Sequence, residues 1–293
     1  MSNLVLGSVQ FGTDYGISST AGQVGVNEIK KILRYAHEKN INIIDTAPSY
    51  GRSEQILGET NNYDFNVVTK TRHFNNYEIN KSDLILIKKD FYRSLKYLKQ
   101  KNIYGVLIHN STDLLKKNGE NLFNQLSELK QDNKVKKIGV SIYEESHLRT
   151  ILDNFDIDLV QLPFNILDRR LIDNGLLFNL QKREVEVHAR SVFLQGLLLM
   201  SETNRPNKFN KWSNLWRTWH QWLHDNQITA LEASIKYAIS MPLISKVLVG
   251  VETKSQLEEI VIASSSNIAL PEIPLELYTD DANLLNPVNW KKL

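Results

Sequence analysis

The chain has 293 residues and no cysteine. That absence removes disulfides, thiolate nucleophiles and cysteine zinc sites together, and it fits a cytosolic protein. An excess of charge of one sign is missing too. The 35 basic and 33 acidic residues leave a formal charge of +2, and no basic block is dense enough to track a phosphate backbone, so nucleic acid is not an expected partner. No apolar run approaches the roughly 18 residues of a membrane span. The first apolar segment begins at Leu4, which leaves no room for a cleavable leader. The expectation is a soluble, cytoplasmic protein with no membrane association. His220 and His224 have the spacing of a metal pair on a helix but lack a third ligand, so no metal is expected. Ser191 has no G-x-S-x-G elbow around it and is not read as a hydrolase nucleophile.

What is present is enough apolar residue, 42% of the chain, to bury one large core, and a single domain over residues 1–293 is expected. Short aliphatic runs alternate with longer amphipathic stretches. The strand candidates are residues 4–7, 41–45, 66–70, 103–109, 136–141, 158–161, 184–190 and 246–250. Between two of them, Leu84, Ile87, Phe91, Leu95 and Leu98 recur at helical spacing opposite a lysine-rich face, with Ser82 as the expected N-cap. Eight strand-helix units predict a closed (β/α)8 TIM barrel of the α/β class, with its active site at the carboxyl ends of the strands. The open doubly wound alternative needs a G-x-G-x-x-G turn after the first strand, and Gly7-Ser8-Val9-Gln10-Phe11-Gly12 has the wrong spacing. Residues 201–226 are the least regular stretch and are expected to form a Trp-rich insert near the barrel mouth.

If functional groups sit at strand ends, Asp45, Tyr50, Lys70 and His109 are the polar residues to place there. A free tyrosine, with a pKa of about 10, is a poor proton donor near neutrality, and a lysine beside it lowers that value. Lys70 would do this for Tyr50. A buried lysine holds its own proton only with an anion nearby, and Asp45 is the natural counter-charge. His109 would donate to a substrate oxygen while Tyr50 acts as general acid or base.

These residues lie in the motifs Asp45-Thr46-Ala47-Pro48-Ser49-Tyr50-Gly51-x-Ser53-Glu54, Val68-Thr69-Lys70 and Leu107-Ile108-His109-Asn110, and through them the chain resembles the aldo-keto reductase superfamily. The likeness continues through Gly139-Val140-Ser141, Val160-Gln161, Gln195-Gly196-Leu197-Leu198 and the segment from Gly250 through Glu259. The resemblance implies a barrel that binds NADPH in extended form and reduces carbonyls by hydride transfer. It assigns catalysis to Tyr50, Asp45, Lys70 and His109. Ser141 and Gln161 would bond the nicotinamide carboxamide, and Gly12 and Asp45 would lie near the nicotinamide end. Gln195, Gly196 and Leu197 would wrap the pyrophosphate, with Ser191 and Phe193 of the same segment also on the cofactor.

Two positions depart from the family. Where members place an aromatic residue that stacks on the nicotinamide, this chain has Arg190, whose planar guanidinium would stack instead. Where many members place an arginine for the adenosine 2′-phosphate, it has Glu252, which favours a free 2′-hydroxyl, although Lys254 is close enough in sequence to replace the cation. NADP is the expected cofactor, with NAD left open by Glu252. Gln256 and Glu259 match the adenine-contacting pattern, and Ile260 replaces the usual asparagine.

The segments at residues 7–16 and 190–196 are similar to bacterial aldo-keto reductases of polysaccharide and sugar-nucleotide biosynthesis, which implies a sugar or sugar derivative as the small-molecule carbonyl substrate. Tyr15 and the stripe of Trp212, Trp216, Trp219 and Trp222 are candidates for a wall against it, with packing of the insert as the competing reading of the stripe. Competing with an active reductase are a nicotinamide-binding regulatory subunit on the same barrel, and a dehydratase or epimerase that uses the cofactor transiently.

Overall fold

The computed structural model describes residues 2–17 and 22–293. Eight parallel strands close into a barrel in chain order: β1 Leu4–Gly7, β2 Ile43–Asp45, β3 Asn66–Lys70, β4 Ile103–Ile108, β5 Val135–Ser141, β6 Leu159–Pro163, β7 Glu186–Arg190 and β8 Lys246–Gly250. The expected (β/α)8 barrel is the observed fold. Between and after the strands come the helices Val26–Glu38, Ser53–Thr60, Lys81–Leu98, Glu120–Gln131, Glu145–Asn154, Leu176–Lys182, Ala230–Ser240 and Lys254–Ser265. Three strands are the ones expected to the residue, and others start later for visible reasons. Ile41 donates its N–H back to Ala36 at the end of the preceding helix, and Glu184 has a left-handed φ of 56°, so neither joins a ladder.

The strands sort their residues with a period of two. Val5, Ile43, Val68, Leu107 and Leu159 fill the barrel interior as one apolar cluster. Two residues further along come Gly7, Asp45, Lys70 and Gln161 on their strands and His109 just past the end of β4, all on the wall of the cavity at the barrel mouth. The residues of opposite parity face outward, where Leu6, Ile44, Val67, Val106, Ile108 and Val160 belong to the larger cluster. The site is therefore the upper layer of the same interior face whose lower layer holds the barrel together.

The helix Lys81–Leu98 buries Ile87, Phe91 and Leu98, with Leu84 and Leu95 partly buried against the core. Its N-cap is Asn80 rather than Ser82. The Asn80 side chain accepts the Asp83 N–H at 3.1 Å while the Asp83 carboxylate accepts the Asn80 N–H at 3.0 Å, and this reciprocal box satisfies two donors that a cap at Ser82 would strand.

The stretch 201–226 is more regular than expected, since a helix occupies Ser213–Asp225. Of the two readings of its tryptophan stripe, packing is the one observed. Trp216 and Trp219 are 2% and 0% exposed. Their indole N–H groups donate to Phe209 O at 3.0 Å and Leu198 O at 3.2 Å, and Trp222 donates to Glu272 O at 2.8 Å. Trp212 donates to Asp281 at 3.0 Å. Neither Trp212 nor Trp216 lines the cavity, which corrects their reading as a substrate wall: an indole whose ring is packed and whose only donor is spent has nothing left to offer a ligand. His220 bonds Arg205 at 2.8 Å, and among the described residues no cluster could hold a metal ion. No helix among them is long and apolar enough to cross a membrane.

Truncating Trp216 should leave a cavity in this packing. Trp216→Ala is expected to lower the unfolding free energy by about 3–5 kcal/mol, read from urea denaturation. A loss under about 1 kcal/mol would contradict the packing role.

Candidate active site

Asp45, at the end of β2, sets the geometry of the mouth. Its Oδ1 accepts from Lys70 Nζ at 2.6 Å and its Oδ2 from Gln161 Nε2 at 2.8 Å, while Lys70 also donates to Thr46 O at 3.1 Å. β2, β3 and β6 are thereby joined across the barrel. Both partners of the ion pair are almost fully buried, so little water screens it. Burial by itself lowers the proton affinity of Lys70, yet the charge of Asp45 and the neighbouring Tyr50 outweigh it and raise the lysine above its ordinary value. The ammonium stays charged.

Its Nζ lies 5.1 Å from the centroid of the Tyr50 ring. Tyr50 sits in a loop fixed from below. Its N–H bonds Ala47 O at 3.0 Å, its carbonyl accepts from Ser53 N–H at 3.0 Å, and Ser53 Oγ donates to Ser8 Oγ at 2.7 Å. Glu54, next in the same segment, accepts from Thr69 and Ser94 at 2.6 and 2.9 Å. A Cβ on Gly12 would run into the Tyr50 carbonyl, and one on Gly51, whose φ is +55°, into the Gly12 carbonyl. Gly12 is accordingly a packing position under the loop and does not line the cavity, whereas Gly7, Ser8, Val9 and Gln10 do.

The Tyr50 phenol differs from expectation in its proton affinity. Burial raises its pKa, and the lowering by Lys70 only offsets part of that rise, to which Asp45 adds. The group is a held proton. His109 lies edge-on to Tyr50, ring centroids 6.1 Å apart, and stacks tilted on His73 at 4.4 Å. Burial first, then the charge of Lys70, pulls its pKa down to about 2, so its imidazole is neutral. Among the described residues its Nδ1 has no hydrogen-bond partner.

These groups open on a cavity of about 850 Å³, within the size range of small-molecule sites. Tyr15, Ser141, Gln161, Arg190, Ser191, Phe193, Gln195, Gly196, Gly250, Glu252, Gln256 and Glu259 all line it. The segment after β7 is built around left-handed backbone: Ser191, Leu194 and Gln195 have φ of 59°, 49° and 54°, and Gly196 of 90°. Leu197 is buried in the core instead. Lys254 does not line the cavity. Its ammonium pairs with Glu258 at 2.6 Å and lies over the Tyr35 ring, which corrects its reading as a phosphate-binding cation. Arg190 stacks on the Tyr143 ring, Cζ 3.9 Å from the centroid. Tyr143, His73 and Ser111 were missed by sequence reading, as were Leu199, Met200 and Val288. Tyr143 lies two residues beyond the strand end at Ser141, so extending each strand's alternation by one step would have found it.

A profile of the Aldo/keto reductase family matches residues 3–272. Among curated proteins, the NADH-specific methylglyoxal reductase of Escherichia coli (strain K12) is 25% identical over 158 residues. That match spans 49% of this chain and about half, 48%, of the relative. Among solved structures, an aldo-keto reductase from Bacillus halodurans in its holo form has a TM-score of 0.72 at 21% identity, covering 91% of this chain and 87% of that one. The glycerol dehydrogenase of Gluconobacter oxydans has a TM-score of 0.70 at 20% identity, covering 92% and 88%. These two likenesses are of fold.

The neutral His109 has two measurable consequences. Its ring resonances should not titrate between about pH 5 and 8 in an NMR series, and a titration midpoint inside that window would contradict the environment described. The unfolded chain takes up this proton near the ordinary 6.5 and the folded chain only near 2, so His109 should make stability fall as pH drops through that interval.

Proposed function

The chain belongs to the aldo/keto reductase family, and from that premise we propose that it transfers hydride from NADH to the carbonyl of a small molecule, with Tyr50 as the proton donor. The observation that carries this reading is the Lys70 ammonium, locked on Asp45 at 2.6 Å and set against the Tyr50 ring at the base of the cavity. A phenol that burial keeps protonated is an acid at neutral pH. When hydride reaches a carbonyl carbon, the oxygen becomes basic and takes the phenol proton. The phenolate left behind faces a lysine whose charge Asp45 maintains, and this stabilises the developing anion more than the ground state. A neutral imidazole retains one N–H to donate to the same oxygen, the part proposed for His109.

The residues lining the cavity fit a nicotinamide dinucleotide. When bound, that group supplies the hydride. Ser141 and Gln161 suit a carboxamide, since Gln161 gives one N–H to Asp45 and keeps its carbonyl oxygen as an acceptor and its second N–H as a donor. The left-handed backbone at Gln195 and Gly196, with no side chain at Gly196, lets the chain come close to a pyrophosphate. Gly250, Glu252, Gln256 and Glu259 then meet the adenosine end.

NADH is proposed over the NADP expected from the resemblance. Glu252 lines the cavity with its N–H held by Gln256 at 2.7 Å, while Lys254 is committed to Glu258. A 2′-phosphate there would meet a carboxylate without the lysine. The NADH specificity of the Escherichia coli methylglyoxal reductase is in keeping with this. For the carbonyl itself, a hydroxylated compound such as a sugar derivative is proposed, on the support of the polar lining at Tyr15, His73, Asn110, Ser111 and Tyr143.

Tyr50→Phe should reduce turnover by about 10²–10⁴-fold, followed as loss of NADH absorbance with methylglyoxal, and leave NADH affinity unchanged. Retained turnover would remove Tyr50 from the chemistry. Glu252→Arg should shift the ratio of NADPH to NADH affinity upward by about tenfold or more, the worth of one close charge pair. An unmoved ratio would show that the side chain does not face the ribose.

A further inference from the structure

Arg190 ends β7 with its guanidinium on the cavity wall. Every partner it has there is neutral. One face lies on the Tyr143 ring, Nη2 donates to Ile142 O at 2.7 Å, and Nη1 donates to Ser191 Oγ at 3.2 Å. Among the described residues no carboxylate lies within ion-pair distance of it. The other cation of the site, Lys70, is neutralised by Asp45. The inner cavity thus carries one uncompensated positive charge, on a side chain that is half-buried and held in a fixed plane.

The position of that charge is informative. Its field lowers the pKa of Tyr15, Tyr50 and His109, so it stands beside the groups that surround the reacting carbonyl. Two of its N–H groups are used, and the guanidinium fork has further donors to offer. Tyr15 adds another. Its hydroxyl accepts from Gln195 Nε2 at 3.1 Å, which leaves its own O–H to donate, and burial pushes its pKa up to about 12 and keeps that proton in place.

We propose that Arg190 anchors an anionic group, a carboxylate or a phosphate, carried by the carbonyl substrate. The proposal rests on the reductase reading above and names a substrate class for it. A half-buried cation with no counter-charge has given up part of its hydration, and a ligand anion offsets that loss. A guanidinium matches both carboxylate and phosphate with paired N–H groups. Stacking on Tyr143 restricts the fork before any ligand arrives, so less freedom is lost on binding.

The test uses matched aldehydes that differ by one anionic group: 4-oxobutanoate against butanal for a carboxylate, and glyceraldehyde 3-phosphate against glyceraldehyde for a phosphate. The wild-type protein should favour the charged member of at least one pair by about tenfold or more in kcat/KM, the ordinary worth of a charge-assisted contact. Arg190→Met should bring that ratio near unity through KM, Arg190→Lys should restore part of it, and NADH affinity, read by fluorescence quenching, should change less than the ratio does. Equal ratios in wild type and Arg190→Met overturn the assignment. So does an Arg190→Met protein that loses NADH affinity while keeping the charged-to-neutral ratio, since the arginine would then serve the cofactor. If no aldehyde is reduced, the reductase reading fails by itself. Calorimetric binding of 4-hydroxybutanoate against 1-butanol to the NAD-loaded protein then decides: an anion preference lost in Arg190→Met upholds the anchor, and any other result overturns it.

Discussion

The carboxylate of Asp45 is held from two sides, by Lys70 at 2.6 Å and Gln161 at 2.8 Å, and the mouth of the barrel is organised around that hold. Taking a carboxylate and an ammonium out of water costs several kcal/mol per ion, and the pair persists because the geometry is short and the remaining donors and acceptors are met. As a device for stability alone it would be a poor one, since apolar side chains of similar volume do as well. Its effect is on charge. It keeps a buried lysine protonated against a buried phenol, and it ties strands from opposite walls so that the spacing between the two cannot drift.

Much of this was legible in the sequence because a strand has only two faces. Once Val68 and Leu107 are read as interior, Lys70 and His109 must be interior too, two residues on, at the end of the run where the apolar filling stops. The barrel and the cluster at its mouth follow from the same periodicity. What was not legible lies where direction is set by tertiary contact. The tryptophan stripe gave a helical face but not which body that face would meet, and it met the core. Lys254 stood at a plausible number, yet its long side chain found Glu258 one turn along its own helix. Gly12 was read from its place in a motif, while its use is to make room for the Tyr50 loop.

The proton affinities also needed the three-dimensional surroundings. Sequence reasoning paired Tyr50 with a lysine and expected a lowered pKa. Burial of the phenol is the larger effect, and the lysine moderates it. The same burial, acting on an imidazole already facing a cation, leaves His109 neutral. Burial at one site therefore keeps the proton on tyrosine and off histidine, and sets both in the form needed to donate to one oxygen.

The two glycines under the Tyr50 loop carry an implication for how such a barrel can diversify. Side chains at positions 12 and 51 are excluded by backbone oxygens, which cannot yield as a flexible neighbour would, so the depth and tilt of the phenol are specified by atoms that are missing. Tyr15, Tyr143 and Arg190 instead line the cavity with side chains that hold one another and Gln195 through ring and hydrogen-bond contacts. Variation is thereby partitioned. New specificities are reachable by single replacements among these side chains, while the chemistry beneath is insulated from the search by a lock that offers selection almost nothing to change.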